Sequence, residues 1–399
     1  MSADDGRGRA LSIALVGTRG VPARYGGFET AVEEVGSRLA SRGHDVRVYC
    51  RSGNSEESPR TYAGMTLVTL PAARRRSLET LSHTGLSVGH LATHRTDVAI
   101  VFNAANAVWL PVLRAARIPF ATHVDGLEWK RAKWGRSGVR YYRWAERRSV
   151  RVSDALIADA QGIAQYYSTE FDAPSTLIAY GAPRLDEVGT DRLAELGLVD
   201  RGFHLVVARF EPENHVAEIV AGYTRSQARL PLVVVGSAPY AEAYVARVQA
   251  VAKQDPRVRL MGGLWDQDLL DQLYRGAATY VHGHSVGGTN PSLLRALGGG
   301  AATIAYDISF NREVAGDAGS YFRDADDVAS LIEAAEREPQ RLIEQRAAAW
   351  HRADAYDWDD VTDRYEQLAR DLHARRTPGP RRRAARRAAE PEPERVAVR

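Results

Sequence analysis

The chain has 399 residues, which is too long for one ordinary hydrophobic core and suits two. Hydrophobic residues make up 44% and charged residues 26%, and the net charge of only +3 gives no overall attraction to polyanions such as nucleic acid. The single cysteine, Cys50, excludes a disulfide framework and argues against a cysteine-based zinc site, so we expect it to be a buried core residue. Residues 1–10 lack the apolar core of a signal peptide, and no apolar run approaches the roughly 20 residues that span a bilayer. We therefore expect a cytoplasmic protein that crosses no membrane.

Short apolar runs alternate with helical patterns from the start of the chain. Residues 11–16 form the first run, and apolar side chains at helical spacing follow it: Phe28, Ala31, Val32, Val35 and Leu39. Further runs predict strands at residues 46–50, 66–70, 97–102, 120–124, 155–158 and 176–179. This repetition of strand and helix predicts a parallel sheet covered on both faces.

A second series of strands and helices begins after residue 183. Its runs predict strands at residues 205–208, 232–235, 258–261, 278–281 and 302–305. The sequence therefore predicts an α/β protein with two Rossmann-like domains, one at residues 1–182 and one at 183–355. A C-terminal helix is predicted at 356–373, and helices in this region are candidates to cross back to the first domain. The Arg-, Ala- and Pro-rich residues 374–399 are predicted to be disordered.

Glycines lie between the first predicted strand and the first predicted helix. Gly26 and Gly27 could let backbone N–H groups approach an anion at the helix N-terminus, or they could form an ordinary turn. The segment lacks the GxGxxG pattern of a dinucleotide-binding loop. His123 and Asp125 come at the end of another apolar strand, where α/β sheets bind their ligands. The pair could act in proton transfer or could be structural.

Residues 128–151 combine nine Lys or Arg with five aromatic residues. One interpretation is a solvated helix whose aromatic side chains pack on the sheet. The alternative is a surface that binds an anionic membrane, because aromatic and basic side chains both favour the headgroup region. Nucleic acid is disfavoured as a partner, since the chain is nearly neutral and has no nucleic-acid-binding motif.

The strongest local pattern occupies residues 281–292, between a predicted strand and a predicted helix. Backbone amides of Gly287, Gly288 and Thr289 could bind an anion there. Pro291 suits the first helical turn, and Asn290 could be simply its N-cap. Arg209 follows another apolar strand and could contact a phosphate or pair with a nearby acid. No pair of aspartates lies at a strand end, so a dedicated metal site is not predicted.

These segments resemble the bacterial family-four glycosyltransferases, and most closely their rhamnosyltransferase-like subgroup. The matching segments are residues 16–30, 124–134, 154–160, 207–214, 282–294 and 310–314. The resemblance implies the GT-B fold, in which two Rossmann-like domains face each other across a cleft. It also implies retaining transfer from a nucleotide-sugar, without an obligatory metal or other cofactor.

The resemblance also suggests roles for individual residues. The catalytic candidates are His123, which would contact the transferred sugar, Asp125, which would orient the acceptor hydroxyl, and Arg209, which would bind the diphosphate. The candidates for donor binding are Gly26, Gly27, Asn214, His282, His284, Ser285, Gly287, Gly288, Thr289, Asn290 and Arg295. The candidates on the acceptor or membrane side are Tyr25, Glu29, Trp129, Lys130, Arg140 and Arg143.

Two positions depart from the family pattern. Many members have a lysine five residues after the arginine, where this chain has Asn214, as is common in the subgroup. Members usually also have two acids eight positions apart, the later one holding the donor ribose, but this chain has Gly287 and Arg295. Arg295 cannot accept a hydrogen bond from ribose. It could instead pair with the donor phosphate, mark a changed donor or mark lost activity.

The sequence thus supports a transferase that moves a sugar, expected to be rhamnose from dTDP-rhamnose, to a lipid-linked or polysaccharide acceptor in cell-surface glycan synthesis. Peripheral attachment to the inner face of the plasma membrane would suit such an acceptor. The alternative is a degenerate GT-B protein that binds a nucleotide-sugar or glycan without transfer, for which Arg295 is the main support. A nucleotide-sugar epimerase of similar fold is a weaker hypothesis, because the motifs match transferases.

Overall fold

The computed structural model describes residues 9–23, 26–53, 59–73, 76–124, 126–131, 133–238 and 241–377. Within these ranges the chain forms two mainly parallel sheets with helices on their faces, which is the α/β architecture that the strand and helix pattern predicts. None of the helices in the described part of the chain is both long enough and apolar enough to cross a membrane.

The first sheet is built from residues before the crossover near residue 180. Its strands are β1 Ser12–Val16, β2 Asp45–Arg51, β3 Thr61–Tyr62, β4 Met65–Leu70, β5 Val98–Phe102, β6 Phe120–His123, β7 Ala155–Ala158 and β8 Thr176–Leu177. Its helices are α1 Gly27–Ser41, α2 Arg76–Thr93, α3 Leu110–Ala115, α4 Arg136–Val152 and α5 Gln161–Phe171. The strand order is β3-β4-β2-β1-β5-β6-β7-β8, and the antiparallel hairpin of β3 and β4 forms one edge.

The second sheet has the order β11-β10-β9-β12-β13-β14, and every described pair in it is parallel. Its strands are β9 His204–Val207, β10 Leu232–Val235, β11 Val258–Gly262, β12 Thr279–His282, β13 Ala302–Tyr306 and β14 Gly319–Phe322. The helices are α6 Val216–Arg225, α7 Glu242–Ala252, α8 Gln267–Gly276, α9 Pro291–Gly298, α10 Ser309–Ala315, α11 Ala325–Arg337 and α12 Pro339–Ala353. The last helix, α13 Trp358–His373, follows α12 after a short turn.

The pattern of apolar residues predicted most of these strands and helices correctly. The predicted and observed elements differ where the apolar pattern is weak. Of the apolar residues predicted for the first helix, Ala31, Val32, Val35 and Leu39 are buried in α1 and Phe28 is half-buried, and Cys50 is buried as expected. The prediction missed the two-residue β3 and the half-exposed edge strand β14, because neither contains an apolar run. The strand predicted at residues 120–124 ends one residue earlier, although the N–H of Val124 still donates to the carbonyl of Ile157.

The helix α13 returns to the first domain and packs on α1, the crossing for which helices in this region were candidates. One apolar cluster joins the first sheet, the crossover residues Tyr180 and Ala182, the second domain and α13. Gly181 lets the crossover pass directly against the ring of Trp358, since a Cβ on this glycine would lie 2.3 Å from a ring atom. The crossover is therefore fixed by packing against the returning helix.

A partly buried ionic cluster also connects α13 to the first domain. The carboxylate of Glu366 lies 3.0 Å from Arg42, 3.2 Å from the Nε2 of His44 and 2.6 Å from Arg370. The Nδ1 of His44 accepts a hydrogen bond from the N–H of Leu11, so neutral His44 can donate its Nε2–H to Glu366. Burial alone would raise the pKa of Glu366, but the hydrogen bonds from Arg370, Arg42 and His44 outweigh it and hold that pKa at about 2.

We expect Glu366→Gln to reduce the free energy of unfolding at pH 7 by about 1–3 kcal/mol, because the neutral amide cannot form ion pairs with Arg42 and Arg370. The folded-state pKa of Glu366 lies below the ordinary value of 4.5, so this stabilisation is present above pH 4.5 and is lost as the pH falls towards 2. Urea unfolding of both proteins between pH 7 and pH 3 should therefore show a difference that shrinks with acidity. Glu344→Gln, at an exposed position of α12, is the control. A pH-independent difference would contradict the assigned role.

Candidate active site

The carboxyl ends of the two sheets carry loops that touch each other. A Cβ added to Gly126 of the first domain would lie 2.3 Å from the Cα of Gly287 in the second, and one added to Gly288 would lie 2.1 Å from the carboxylate of Asp159. The atoms opposite Gly126 are backbone atoms, so a side chain there is excluded in the present arrangement, whereas a side chain at Gly288 would have to displace the carboxylate of Asp159. The domains therefore meet in a closed cleft whose contact surfaces are largely backbone.

Two hydrogen-bonded contacts connect the same loops. The hydroxyl of Thr289 donates to the carbonyl of Asp159 at 2.5 Å. The backbone N–H of Gln161, the first residue of α5, donates to the carboxylate of Glu313 at 2.6 Å, which places a negative charge at a helix N-terminus. These contacts hold the second-domain loop against the end of β7.

The glycine loop of the first domain leads into α1 at the cleft. Gly26 has φ 108°, a conformation that favours glycine, and Gly27 begins the helix beside Pro291 of the second domain. The carboxylate of Glu29 accepts a hydrogen bond from the N–H of Arg19, and burial raises the pKa of Glu29. The Tyr25 prediction lies outside the described residues.

His123 is buried at the end of β6. Its ring stacks between those of Phe102 and Tyr180, with centroid distances of 5.5 and 5.9 Å, and Phe28 meets it edge-on at 5.0 Å. Burial lowers the pKa of His123 to about 4, so the imidazole is neutral near pH 7. Its Nδ1 lies 3.3 Å from the carbonyl of Val124, which can only accept, so we assign the ring proton to Nδ1.

The Nε2 of His123 is then a hydrogen-bond acceptor, and it has no partner among the described residues. A buried acceptor of this kind suits the hydroxyl group of a ligand better than a charged group. Asp125, the other residue predicted at this strand end, lies outside the described residues.

Two histidines of the second domain lie in and just after β12. His282 is buried, burial lowers its pKa to about 3, and its Nε2 has no partner among the described residues. The pKa of His284 is also lowered, first by burial and then by the nearby guanidinium of Arg131. Both rings are therefore neutral near pH 7 and can serve as hydrogen-bonding groups.

The loop between β12 and α9 follows these histidines. The N–H and the hydroxyl of Ser285 both donate to the carbonyl of Glu213, and Gly287 has φ 140°. Asn290 caps α9 by accepting from the N–H of Ser292, and Pro291 takes the first helical position. The capping interpretation of Asn290 is therefore confirmed, and the helix N-terminus lies beside the closed cleft.

Arg209 and Asn214 lie together after β9. The Nη2 of Arg209 is 3.7 Å from the carboxylate of Glu211, which is the ion pair weighed as the alternative to a phosphate contact. The amide of Asn214 donates to the carbonyl of Arg209 at 2.8 Å, while its oxygen lies 2.7 Å from the Nδ1 of His284. Asn214 therefore connects the Arg209 segment to the histidine loop.

Arg295 lies on α9 and forms an ion pair with Asp271 of the neighbouring helix α8. The exposed fractions of the two side chains are 22% and 16%. A partly buried pair of this kind is costly to separate, so the charge of Arg295 is already balanced within the domain.

The basic aromatic segment combines features of both interpretations. Helix α4 buries Tyr142, Ala145, Glu146 and Ser149 against the domain, as an ordinary surface helix does. Its outer face carries exposed arginines, among them Arg140 and Arg143, and Trp144 is 43% exposed. Before the helix, Lys130 is exposed, and the guanidinium of Arg143 stacks over the ring of Trp129 at 4.3 Å.

The structure adds cleft residues that the sequence analysis did not select. Asp159 directly follows β7, so its strand-end position was a usable signal of the kind that pointed to His123. Arg131 was counted within the basic segment and assigned to no site. It lies across the cleft from Glu211 and Glu213, and no local sequence pattern reports that contact.

Comparison with known protein families agrees with this arrangement. Residues 26–181 match the model of the glycosyl transferase 4-like domain, and residues 204–338 match that of the glycosyl transferases group 1. The chain is therefore a glycosyltransferase of the GT-B fold. The two matched domains agree with the resemblance to the family-four enzymes. No curated protein sequence matches the chain.

The chain is also similar in fold to solved structures that are distant from it in sequence. HepE of Anabaena in complex with UDP-glucose has a TM-score of 0.72 at 13% identity, covering 90% of this chain and 99% of its own. Sucrose-phosphate synthase from Thermosynechococcus elongatus has a TM-score of 0.74 at 19% identity, covering 92% and 100%. An α,α-trehalose-phosphate synthase from Burkholderia xenovorans, in complex with glucose-6-phosphate, has a TM-score of 0.71 at 12% identity, covering 90% and 100%. At these identities the similarity establishes the fold.

We expect Gly126→Ala to hold the cleft open, because the new Cβ cannot fit beside Gly287. An overpacking cost of about 1–3 kcal/mol would reduce the closed population and lower glycosyl transfer by roughly 10- to 100-fold. Small-angle scattering should show a larger radius of gyration. Gly135→Ala is the control, since a Cβ there meets no atom within 4 Å. Wild-type scattering and turnover in Gly126→Ala would show that close contact at this point is dispensable.

Proposed function

We propose that this glycosyltransferase moves a sugar from a nucleotide-sugar bound in the closed cleft, with retention of configuration and without a metal. The observation that carries the proposal is that neutral histidines lie at the carboxyl ends of both sheets, together with Arg209 and glycine loops that touch across the cleft. Together they offer uncharged contacts for hydroxyl groups and cationic or amide contacts for a diphosphate.

In the proposed reaction, the acceptor hydroxyl attacks the anomeric carbon from the face that the diphosphate leaves. The new C–O bond forms as the bond to the diphosphate oxygen breaks, and the acceptor proton passes to the departing diphosphate. Arg209 and the amides of residues 287–289 stabilise the negative charge that develops there. The Nε2 of His123 accepts a hydrogen bond from a hydroxyl of the transferred sugar, and Asp125 orients the acceptor.

For the donor we propose dTDP-rhamnose, which rests on the resemblance of the motifs to the rhamnosyltransferase-like subgroup. UDP-glucose is the necessary comparison, because HepE, a structure of similar fold, is described in complex with it. The proposed acceptor is a lipid-linked or polysaccharide chain in cell-surface glycan synthesis.

The test is release of nucleoside diphosphate from a panel of nucleotide-sugars, with and without a membrane lipid extract as the acceptor source. We expect release from dTDP-rhamnose that depends on the acceptor. Donor binding without release under every condition would favour the alternative, a GT-B protein that binds nucleotide-sugar without transfer.

In the same assay we expect His123→Phe to lower kcat by about 100-fold, the usual cost of removing one polar contact to the reacting group. Phenylalanine keeps the ring stack with Phe102 and Tyr180 but removes Nε2, so the thermal midpoint should change little. Unchanged kcat in His123→Phe would remove His123 from the proposed mechanism.

We further propose that the outer face of α4 binds the anionic inner surface of the plasma membrane. Arg136, Arg140 and Arg147 are exposed and form no ion pair among the described residues. The neighbouring segment adds Val108 and Val112, which are 39% and 37% exposed. An exposed face that combines unpaired cations with Trp144 and aliphatic side chains suits an anionic interface.

Charge reversal at Arg140, Arg143 and Arg147 tests the membrane proposal. At roughly 1 kcal/mol for each lost cation, we expect binding to liposomes containing phosphatidylglycerol to weaken by about 100-fold or more. The control reverses three exposed cations of the second domain, Lys253, Arg259 and Arg337. Every protein should end at His373, because the segment beyond it contains nine arginines and three glutamates and could bind the liposomes itself. Equal binding by both triple variants would refute the α4 surface.

A further inference from the structure

A buried group of charges crosses the cleft beside Arg209. Arg131, in the loop before α4, lies 3.9 Å from the carboxylate of Glu211 and 4.0 Å from that of Glu213, both of the second domain. Its side chain is only 10% exposed, and those of the two glutamates are 5% exposed. Glu211 also lies 3.7 Å from Arg209, so guanidinium groups from both domains share one carboxylate.

The position of Arg131 is fixed from its own domain. Its Nε lies 2.6 Å from the carboxylate of Glu128, which is itself buried and also pairs with Lys133 at 2.8 Å. The indole N–H of Trp134 donates to the same carboxylate. Glu128 thus pairs with Arg131 from within the first domain, while the Nη1 of Arg131 faces the glutamates of the second domain.

The surroundings of Arg131 coincide with the proposed diphosphate site. Gly126, five residues earlier, is in contact with Gly287 of the loop whose amides we assign to the diphosphate. The positive charge of Arg131 contributes to the lowered pKa of His284, together with Arg209. Arg131 therefore lies close to the two groups of the second domain that we assign to the diphosphate, which are Arg209 and the loop amides of residues 287–289.

Charge balance explains why a first-domain cation is needed here. Glu211 and Glu213 are buried next to Arg209, and two carboxylates at this point would repel an incoming diphosphate. The position five residues after Arg209 is Asn214, which is neutral. Among the described cations, Arg131 is the one that the structure places against both glutamates.

We propose that Arg131 is a further donor-binding residue, which supplies a guanidinium group from the first domain to the diphosphate of the nucleotide-sugar. In the absence of the donor, Glu211 and Glu213 hold this guanidinium. When a diphosphate binds, Arg131 and Arg209 contact it from opposite sides, so closure of the cleft and recognition of the diphosphate depend on the same residue. This inference rests on the proposed function and adds a specific phosphate ligand to it.

The test compares ligands that differ by one phosphate. UDP, dTDP, UMP and dTMP are titrated into the full-length protein by calorimetry, and the base that binds better is used for the variants. We expect Arg131→Gln to weaken binding of the diphosphate by about 10- to 100-fold and that of the monophosphate by less than about 3-fold. Arg131→Lys should lose less, because it keeps the charge without the two-pronged geometry.

Lys133→Gln is the matched control. It removes one cation that pairs with the same Glu128 from the same segment, but the structure gives it no contact with Glu211 or Glu213. We expect both its nucleotide affinities to stay within about 2-fold of the wild type. Thermal midpoints of all three variants report separately on folding.

The outcomes separate the inference from the proposed function. If the wild type binds neither UDP nor dTDP, the proposed function fails and the role of Arg131 fails with it. If the wild type binds the diphosphate and both Arg131→Gln and Arg131→Lys bind it as tightly as the wild type does, only the role of Arg131 is refuted. Equal weakening of diphosphate and monophosphate binding would mean that Arg131 acts by holding the domains together, which also overturns a direct phosphate contact.

Discussion

The close approach of two backbones is the constraint on which the cleft depends. Gly126 and Gly287 meet at a distance that leaves no room for a side chain on Gly126, and Gly288 lies against the carboxylate of Asp159. Polar groups can reach across the cleft only because these loops come so near, and Thr289 and Glu313 do so through direct hydrogen bonds. Closure therefore brings groups from both sheets into one site that neither domain forms alone.

Burial gives that site its chemical character. His123, His282 and His284 all have lowered pKa values because they are desolvated, so they remain uncharged near pH 7. The cations that we assign to the cleft, Arg131 and Arg209, are guanidinium groups, which stay protonated when buried. The cleft thus combines neutral acceptors for hydroxyl groups with fixed positive charge. That combination matches a ligand with a sugar at one end and a diphosphate next to it.

Periodicity in the sequence determined most of the fold but only part of the site. Buried strands such as β5 and amphipathic helices such as α1 were predictable, because their packing imposes a local repeat. Residues at strand ends and in glycine loops, such as His123 and Gly287, could be selected because they follow strands that the periodicity predicts. Asp159 and Arg131 could not be given their contacts, since these depend on how the two domains meet. Both interpretations of residues 128–151 treat Arg131 as part of a basic surface, whereas its side chain lies against Glu211 and Glu213 and only Lys130 before it is exposed.

Arg295 shows how a partner distant in sequence changes an interpretation. From its position alone, Arg295 could replace a ribose-binding acid with a phosphate contact. The ion pair with Asp271 favours a structural role, because Asp271 lies on α8, within the same domain. The pair is better understood as a support for the α8–α9 packing next to the donor loop. Phosphate recognition is then left to Arg209, the loop amides and, on the first domain, Arg131.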